Sequence, residues 1–318
     1  MGLGLLAVST ASLFIRYAQL DGMPSLVIAA WRLTLAALIV WLVVLARHRA
    51  ELRRLSGRDL GLAAASGFFL GLHFGTWITS LAYTSVANSV VLVSTAPLFV
   101  ALIAAGWLRE RLNRWVLTGL VIALAGSLVV GLSDACAPAG CLTWADFLHG
   151  PGLWGDGLAL AGAVTVAIYL IIGRRVRARV SLVVYIGLTY GLAALTLLAG
   201  LAVTGTPLAG FAPADFPGAL ARGLAGLFTA GAPPADRWAV WILLLALVPQ
   251  LIGHSAYNWA LKYLPATYVS ITVLGEPIGS ILLALALLHE VPTPLKLLGG
   301  VLILAGIALA SRRPAEES

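Results

Sequence analysis

Charged residues are scarce in this chain. They make up 10% of its 318 residues, and only 13 residues are acidic. A soluble domain of this size carries roughly 25% charged residues. Hydrophobic residues reach 60%, and the mean hydropathy is +0.98. Because so much apolar surface cannot be buried in one water-soluble core, the composition excludes an ordinary soluble protein and indicates a membrane protein.

Several motifs that carry chemistry are also missing. The chain has no GxxxxGK[ST] phosphate-binding sequence, so ATP-driven transport by this chain alone is not expected. It has no HExxH zinc motif, because His289 and Glu290 lack a second histidine. We therefore expect no metal, no cofactor and no enzymatic activity. A membrane-embedded enzyme is the less favoured alternative, in which Glu276 would act with His73 or His254.

Cysteine is also rare, and the chain has two cysteines, Cys136 and Cys141. Both fall in the segment 133–152, which we place outside the cell, where thiols can be oxidised. The short ring between them could close as a disulfide, and the sequence leaves this pairing and free thiols both open. Neither alternative adds chemistry to the protein.

Ten apolar runs follow one another along the chain, and most reach the roughly 20 residues that a helix needs to cross a bilayer. They cover residues 2–19, 24–46, 60–82, 86–108, 115–132, 153–173, 181–203, 238–261, 267–288 and 294–311. The first run lacks the basic start and the cleavage pattern of a signal peptide, so we count it as a span. The sequence thus predicts an all-α membrane protein with ten transmembrane helices.

The basic residues are distributed unequally between the two faces that these spans define. The face that follows spans 2, 4 and 6 is rich in arginine, and to this face we also assign Lys296, Arg312 and Arg313. The other face receives Arg16, Arg222, Arg237 and Lys262. The positive-inside rule then places both termini in the cytoplasm of a multi-pass protein of the inner (plasma) membrane. Short basic clusters of this kind encode topology, so we expect a lipid bilayer and a small-molecule substrate as partners, no nucleic acid, and a monomer or weak homodimer.

An internal repeat relates the two halves of the chain at an offset of 180 residues. The offset aligns Tyr83 with Tyr263, Pro97 with Pro277, Glu110 with Glu290, Gly119 with Gly299, and Gly126 with Gly306. Five spans per half is an odd number, so the halves should enter the membrane in opposite orientations. Such inverted repeats are typical of secondary transporters. The predicted organisation is a first five-helix repeat in 1–132, an extracytoplasmic linker in 133–152 and a second repeat in 153–318.

Both copies contain a mid-span proline, a glutamate that ends the span, a short polar break and a glycine-spaced closing span. They appear as APLFVALIAAGWLRERL and GEPIGSILLALALLHEV. With ALKYLPATYVS and AAWRLTLAAL, these sequences resemble the EamA repeat of the drug/metabolite transporter superfamily and its bacterial (aromatic) amino-acid exporter branch. The resemblance implies a ten-helix exporter of small metabolites with a central cavity. Ala96 stands where the second copy has Glu276, so the halves are not chemically equivalent.

Polar side chains within the spans are costly and therefore mark candidate site residues. The predicted substrate-binding residues are His73, Trp77, Ser80, Tyr83, Ser94, Tyr169, Gln250, His254, Tyr257 and Asn258. Helical spacing places those of span 3 on one face and those of span 8 on another. Trp77 aligns with Tyr257, and two such rings suit a flat or apolar solute with a polar end. The alternative is that both helices simply pack against their neighbours.

Four further residues are predicted to gate or couple transport. Arg32 has three open interpretations: an ion pair with Glu276, contact with a substrate carboxylate, or extension of its side chain to the interface. Glu276 could carry a proton or contact substrate, or it could be structural. Pro97 and Pro277 are predicted bend points. Glu110 and Glu290 are predicted to lie at cytoplasmic helix ends, each as a gate or as a salt-bridge partner of the neighbouring arginines.

The function predicted from these features is export of amino acids, aromatic and other neutral ones, or similar small metabolites. The mechanism would be alternating access, with the two inverted halves rocking about a central cavity. The alternative is an exporter of drugs, nucleobases or sugar derivatives.

Overall fold

The structure is a computed structural model, and it describes residues 2–108, 114–133, 136–137, 140–141, 150–208, 210–226, 237–264, 266, 269–270 and 273–310. The ordered elements in these ranges are helical apart from two short strands, β1 (Cys136–Ala137) and β2 (Gly140–Cys141), which pair antiparallel. The register sets Cys136 opposite Cys141. The cysteine side chains, which would distinguish a disulfide from free thiols, lie outside what the structure describes.

Most helices begin and end close to the predicted boundaries, although the helix of predicted span 267–288 begins only at Glu276. In the first half they are α1 (Gly2–Ser9), α2 (Ala11–Leu20), α3 (Ser25–Arg47), α4 (Arg49–Arg53), α5 (Gly57–Ser80), α6 (Val86–Val93), α7 (Ala96–Leu108) and α8 (Arg114–Ser133). In the second half they are α9 (Pro151–Arg177), α10 (Leu182–Thr204), α11 (Phe216–Gly226), α12 (Trp238–Leu245), a π-helical segment (Ala246–His254), α13 (Ser255–Ala260), a 3₁₀ turn (Val273–Gly275), α14 (Glu276–Leu288) and α15 (Pro294–Ala310).

Within the described residues, seven helical stretches are long and apolar enough to cross a membrane. They are Gly2–Leu20, Ser25–Arg47, Gly57–Ser80, Val86–Ile103, Pro151–Arg177, Leu182–Thr204 and Trp238–Ala260. These stretches correspond to predicted spans 1–4 and 6–8. Predicted span 5 corresponds to α8, and spans 9 and 10 correspond to the shorter apolar helices α14 and α15. Apart from β1 and β2, the described part of the chain is therefore helical, and its apolar helices are those of a multi-pass membrane protein.

Local sequence explains where several helices begin and end. Ser56, Ser85 and Ser181 precede α5, α6 and α10, and each side chain accepts a hydrogen bond from the backbone N–H three residues later. These bonds satisfy N–H groups that have no partner within the helix. Helix α10 ends at Gly205, whose φ of +63° is readily adopted by glycine.

Prolines interrupt three of the predicted spans. Helix α6 ends at Val93 and α7 begins at Ala96, just before Pro97. The second copy is similar, because a 3₁₀ turn leads into α14, where Pro277 occupies the first turn. Pro249 lies inside the π-helical segment. Since proline has no N–H to donate, the regular helical ladder cannot continue through it.

The closing helices of the two repeats, α8 and α15, pack through glycines. A Cβ on Gly126 would lie 2.7 Å from the carbonyl oxygen of Gly299, and one on Gly306 would lie 2.5 Å from that of Gly119. Residue numbers rise along α8 as they fall along α15, so the two helices run antiparallel. The repeat offset exchanges the two contacts, so the interface is symmetric.

The two halves of the sequence interdigitate. Helix α5 packs mainly against α9 and α10, and α3 packs mainly against α10. Helix α1 packs mainly on the π-helical segment. Gly67 and Gly71 of α5 allow this approach, because Cβ atoms there would lie 2.5 Å and 2.8 Å from side chains of α10. The interior thus forms mainly between helices of different halves.

One end of the helix bundle carries the arginine-rich joints. The backbone N–H of Ser181 donates to Glu51 at 2.7 Å, and Arg174 donates to the carbonyl oxygen of Leu261 at 2.8 Å. Lys262 follows Leu261 directly and so lies at this same end. The prediction that placed Lys262 on the opposite face is therefore wrong.

Glu290 and Lys296 lie at the other end. Glu290 forms an ion pair with Arg16 at 3.3 Å and accepts from the backbone N–H of Val86 at 3.0 Å. Lys296 donates to the hydroxyl of Ser85 at 3.1 Å. The prediction that assigned Lys296 and Glu290 to the arginine-rich face is wrong, because span 9 separates them from Lys262. Other residues named in that prediction, Glu110, Arg312 and Arg313, lie outside the described residues.

Candidate functional site

A cavity lies where α5, the break between α6 and α7, α9, the π-helical segment with α13, and the start of α14 meet. Its volume is about 50 Å³, which is room for a few water molecules. Predicted site residues among its lining are His73, Trp77, Ser94, Pro97, Tyr169, His254, Tyr257 and Glu276. Residues that are distant in the sequence thus line one space in the interior.

Aromatic and imidazole rings form one wall of this cavity. The rings of His73 and Trp77 stack with centroids 5.8 Å apart and planes 8° apart. Phe74 and His254 meet edge to face at 5.1 Å, and His254 meets Tyr257 at 6.1 Å. Phe74 and His254 are related by the repeat offset, so the two halves of the sequence meet at this ring contact.

His73 is held by the facing helix α9. Its Nδ1 lies 2.9 Å from the carbonyl oxygen of Gly162, and because a carbonyl can only accept, Nδ1 is the donor. In the neutral ring, Nε2 is then an acceptor. Gly162 permits this approach, since a Cβ there would lie 3.3 Å from the Cβ of Trp77. The imidazole is thereby fixed against the cavity.

A buried hydrogen-bond network supports the opposite wall. The hydroxyl of Tyr169 donates to Asn258 Oδ1 at 2.5 Å. Asn258 Nδ2 donates to the hydroxyl of Tyr190 at 3.4 Å, and that hydroxyl also lies 3.1 Å from Ser255 Oγ. The network orders the tyrosine that faces the cavity, because fully satisfied polar groups in the interior have one preferred arrangement.

Arg32 lies behind the ring wall and is completely buried. Its Nε donates to Gln250 Oε1 at 2.8 Å, and its guanidinium carbon lies 4.2 Å from the centre of the Phe74 ring. The interpretation that Arg32 extends to the membrane interface is wrong, because the side chain is enclosed by neighbouring helices. Among the described residues it has no ion pair within 4.0 Å, although Glu276 attracts it electrostatically.

Several buried donors around the cavity have no hydrogen-bond partner within the described ranges. They are Trp77 Nε1, the hydroxyl of Tyr257, and both Nη1 and Nη2 of Arg32. An unsatisfied buried donor costs roughly 1–3 kcal/mol, and more when it is charged. A solute with acceptor groups that reached these atoms would recover that free energy.

Other predicted site residues lie away from the cavity. Ser80 donates to the carbonyl oxygen of Trp77 at 2.7 Å and lies 2.6 Å from Ser89 Oγ. Tyr83 follows the end of α5 and is 45% exposed. Gln250 and Asn258 support the wall from behind. Pro277 lines a separate apolar groove of about 240 Å³ between α6, α14 and α15.

Sequence reasoning missed part of the lining. The additional lining residues are Val93, Ala96, Val166, Leu170, Ser270 and Val273. The repeat offset relates Val93 to Val273 and Ala96 to Glu276, so the internal repeat contained a signal for them. In the part of the chain that the structure describes, no cluster of three His, Cys, Asp or Glu residues could hold a metal ion.

The sequence pattern of the EamA-like transporter family matches residues 2–132 and 153–312. The chain belongs to the EamA-like transporter family. The match spans both repeats and confirms the resemblance seen in the sequence. As a member of this family, the chain is a transporter, located as a multi-pass protein in the inner membrane.

Relatives of known sequence agree with this assignment. The chain is 27% identical over 300 residues to a "Probable terminal-alkyne amino-acid exporter" of Streptantibioticus cattleyicolor, covering 92% of this chain and 86% of that protein. It is 24% identical to the "Uncharacterized transporter YyaM" of Bacillus subtilis, over 89% of this chain and 83% of the relative. A solved crystal structure shares the fold with a TM-score of 0.61 at 21% identity, covering 97% of this chain and 93% of that one.

Proposed function

We propose that this EamA-like transporter exports amino acids, aromatic and other neutral ones, through the cavity beside His73 and Tyr257 by alternating access. The observation that carries the proposal is the enclosed ring wall with unpartnered donors, in a family of transporters. Rings bind the apolar part of a solute and the donors bind its polar end. The relative that is named as a probable amino-acid exporter supports the substrate class.

The proposed topology has ten spans in two inverted repeats, residues 1–132 and 153–318, with 133–152 as the linker. The antiparallel contact between α8 and α15 supports this arrangement, because helices related by the repeat then run in opposite directions. We assign the arginine-rich end to the cytoplasm, which also places both termini there.

The proposed movement centres on the helix breaks at Pro97 and Pro277. The ion pair between Arg16 and Glu290 ties the extracytoplasmic ends of spans 1 and 9, while both breaks adjoin the cavity. Because the two halves interdigitate, we favour rearrangement of the helices around these breaks over the rocking of two separate bodies. Opening at one end would accompany closure at the other.

Within this proposal, Trp77 and Tyr257 stack on the solute, and His73, Ser94 and Tyr169 offer hydrogen bonds to it. Their positions around one cavity support these roles. We assign Gln250 and Asn258 to positioning, since each bonds a neighbour behind the wall. The same geometry supports only structural roles for Ser80 and Tyr83.

The proposal is tested by transport in proteoliposomes with labelled amino acids, with and without a pH gradient. We expect saturable transport of phenylalanine, and a loss of at least 10-fold in kcat/KM for Trp77→Ala and Tyr257→Ala. Phe68→Ala is the matched control, because Phe68 is an aromatic residue of α5 that is 46% exposed on the outer surface. Equal rates for all three variants would refute the assigned cavity. Transport of nucleobases or drugs without amino acids would favour the alternative substrate class.

A further inference from the structure

The guanidinium of Arg32 is positioned as a fixed fork. Its Nε is occupied by Gln250 at 2.8 Å, and its plane is held by the face of Phe74 at 4.2 Å. These two contacts determine where Nη1 and Nη2 lie, yet both atoms are buried and have no acceptor among the described residues. The outer donors of the guanidinium are therefore ordered but unused.

An unpaired cation in the membrane interior is costly, so its presence calls for a matching anion. Arg32 takes part in none of the ion pairs seen among the described residues. A planar carboxylate has two acceptor oxygens whose spacing matches the two outer nitrogens of a guanidinium. A single carboxylate would thus supply the acceptors that Nη1 and Nη2 of Arg32 lack.

Glu276 supplies the opposite charge at the cavity. It is the first residue of α14, it lines the cavity, and its carboxylate attracts Arg32 without reaching ion-pair distance. Arg32 does not line the cavity; its guanidinium packs on Phe74, which contacts His254 of the cavity lining. A ligand that met both charges would therefore need one anionic and one cationic group.

We propose that Arg32 and Glu276 select a zwitterionic α-amino acid, with the substrate carboxylate on Nη1 and Nη2 of Arg32 and its ammonium group on Glu276. This inference rests on the proposed function and specifies the recognition at that site. This recognition excludes an uncharged nucleobase, which would leave both charges unpaired. It also excludes a phosphorylated solute, whose negative charge would be larger than the single positive charge of Arg32.

Binding requires the rings beside Arg32 to move, because Arg32 does not line the cavity of about 50 Å³ and Phe74, on which it packs, contacts His254 of the lining. His254 ends the π-helical segment, whose hydrogen-bond pattern is interrupted at Pro249. Such segments are common at functional sites, since their loose ladder lets a side chain shift without unfolding the helix. Gln250 belongs to the same segment, so one element carries both the ring and the residue that fixes Arg32.

The experiment compares phenylalanine with two analogues, phenethylamine without the carboxylate and 3-phenylpropionate without the ammonium group. Inhibition of phenylalanine transport by each is measured in proteoliposomes for the wild type, Arg32→Lys and Glu276→Gln. Arg54→Lys serves as the matched control, because Arg54 is an exposed arginine between spans. The wild type should bind both analogues at least 10-fold more weakly than phenylalanine.

Arg32→Lys keeps the charge and removes the fork, so it should raise the KM for phenylalanine on the order of 10-fold or more. Inhibition by phenethylamine should stay unchanged in this variant. Glu276→Gln should weaken the inhibition of phenylalanine transport by phenethylamine and leave the inhibition by 3-phenylpropionate unchanged. Equal weakening of all three ligands by Arg32→Lys would indicate a structural role and overturn the inference, and so would an unchanged KM.

The wild type alone distinguishes failure of this inference from failure of the proposed function. Absence of amino-acid transport would overturn both. Transport of phenylalanine with equally strong inhibition by both analogues would overturn only the recognition by Arg32 and Glu276. If the variants do not fold, the shift in Tm of the purified wild-type protein with each ligand gives the same comparison, and only phenylalanine should raise it.

Discussion

Replacement of Gly306 by alanine tests the packing of α8 against α15. A Cβ at this position would lie 2.5 Å from the carbonyl oxygen of Gly119 and 2.7 Å from the backbone nitrogen of Ala123. Both are backbone atoms, so the helices must separate to admit it. Forcing a methyl group into a packed contact costs about 1–3 kcal/mol. Alanine also favours a helix over glycine by about 1 kcal/mol, which offsets part of that cost.

Gly300→Ala is the matched control, because it lies in the same helix and its Cβ would meet only one side-chain atom, at 3.8 Å. Helix propensity affects both variants equally, so their difference in free energy of unfolding isolates the contact. We expect Gly306→Ala to be less stable than Gly300→Ala by about 1–3 kcal/mol in detergent unfolding experiments. Equal stability of the two variants would refute the close approach of the helices.

Two further predictions concern the ends of the bundle. Glu290→Gln removes the ion pair with Arg16, and partly exposed pairs contribute roughly 0.2–1 kcal/mol. Hydrogen exchange at the Val86 amide should therefore accelerate by about 1.4- to 5-fold; unchanged exchange would count against this ion pair. Burial alone would raise the pKa of Glu51, but hydrogen bonds from Ser181 and the hydrogen bond and charge of His48 together outweigh burial and lower that pKa from its usual 4.5. This stabilisation is present above pH 4.5 and lost as the pH falls through the lowered pKa, so Tm should differ between wild type and Glu51→Gln at pH 7 and converge as the carboxyl group becomes protonated in the folded protein.

Sequence periodicity predicted much of the fold, because a span must be apolar over its whole length. The helix breaks near Pro97 and Pro277 followed from the chemistry of proline. The sides of Glu290 and Lys296 were assigned incorrectly, although counting alternate spans would have placed both at the end opposite Lys262. The π-helical segment around Pro249 was not predicted, since its hydrogen-bond pattern depends on the neighbouring helices.

For the cavity, the repeat offset was more informative than helical spacing. It paired Trp77 with Tyr257, and the structure sets both against the same space. Helical spacing also favoured Ser80 as a site residue, but its hydroxyl donates to the carbonyl oxygen of Trp77 and does not line the cavity. The burial of Arg32 could not be predicted from the sequence. Its position some eight residues into a span indicates its depth in the membrane, but not that Phe74 and Gln250 would enclose its side chain.

The interdigitation of the two halves has a consequence for biogenesis. Gly67 and Gly71 on α5 are matched by Leu192, Ala193 and Thr196 on α10, which are synthesised more than 100 residues later. During synthesis, the glycine face of α5 therefore remains exposed to lipid until α10 is inserted. A chain truncated after the first repeat would lack α10 and would leave the glycine face of α5 without its partner helix.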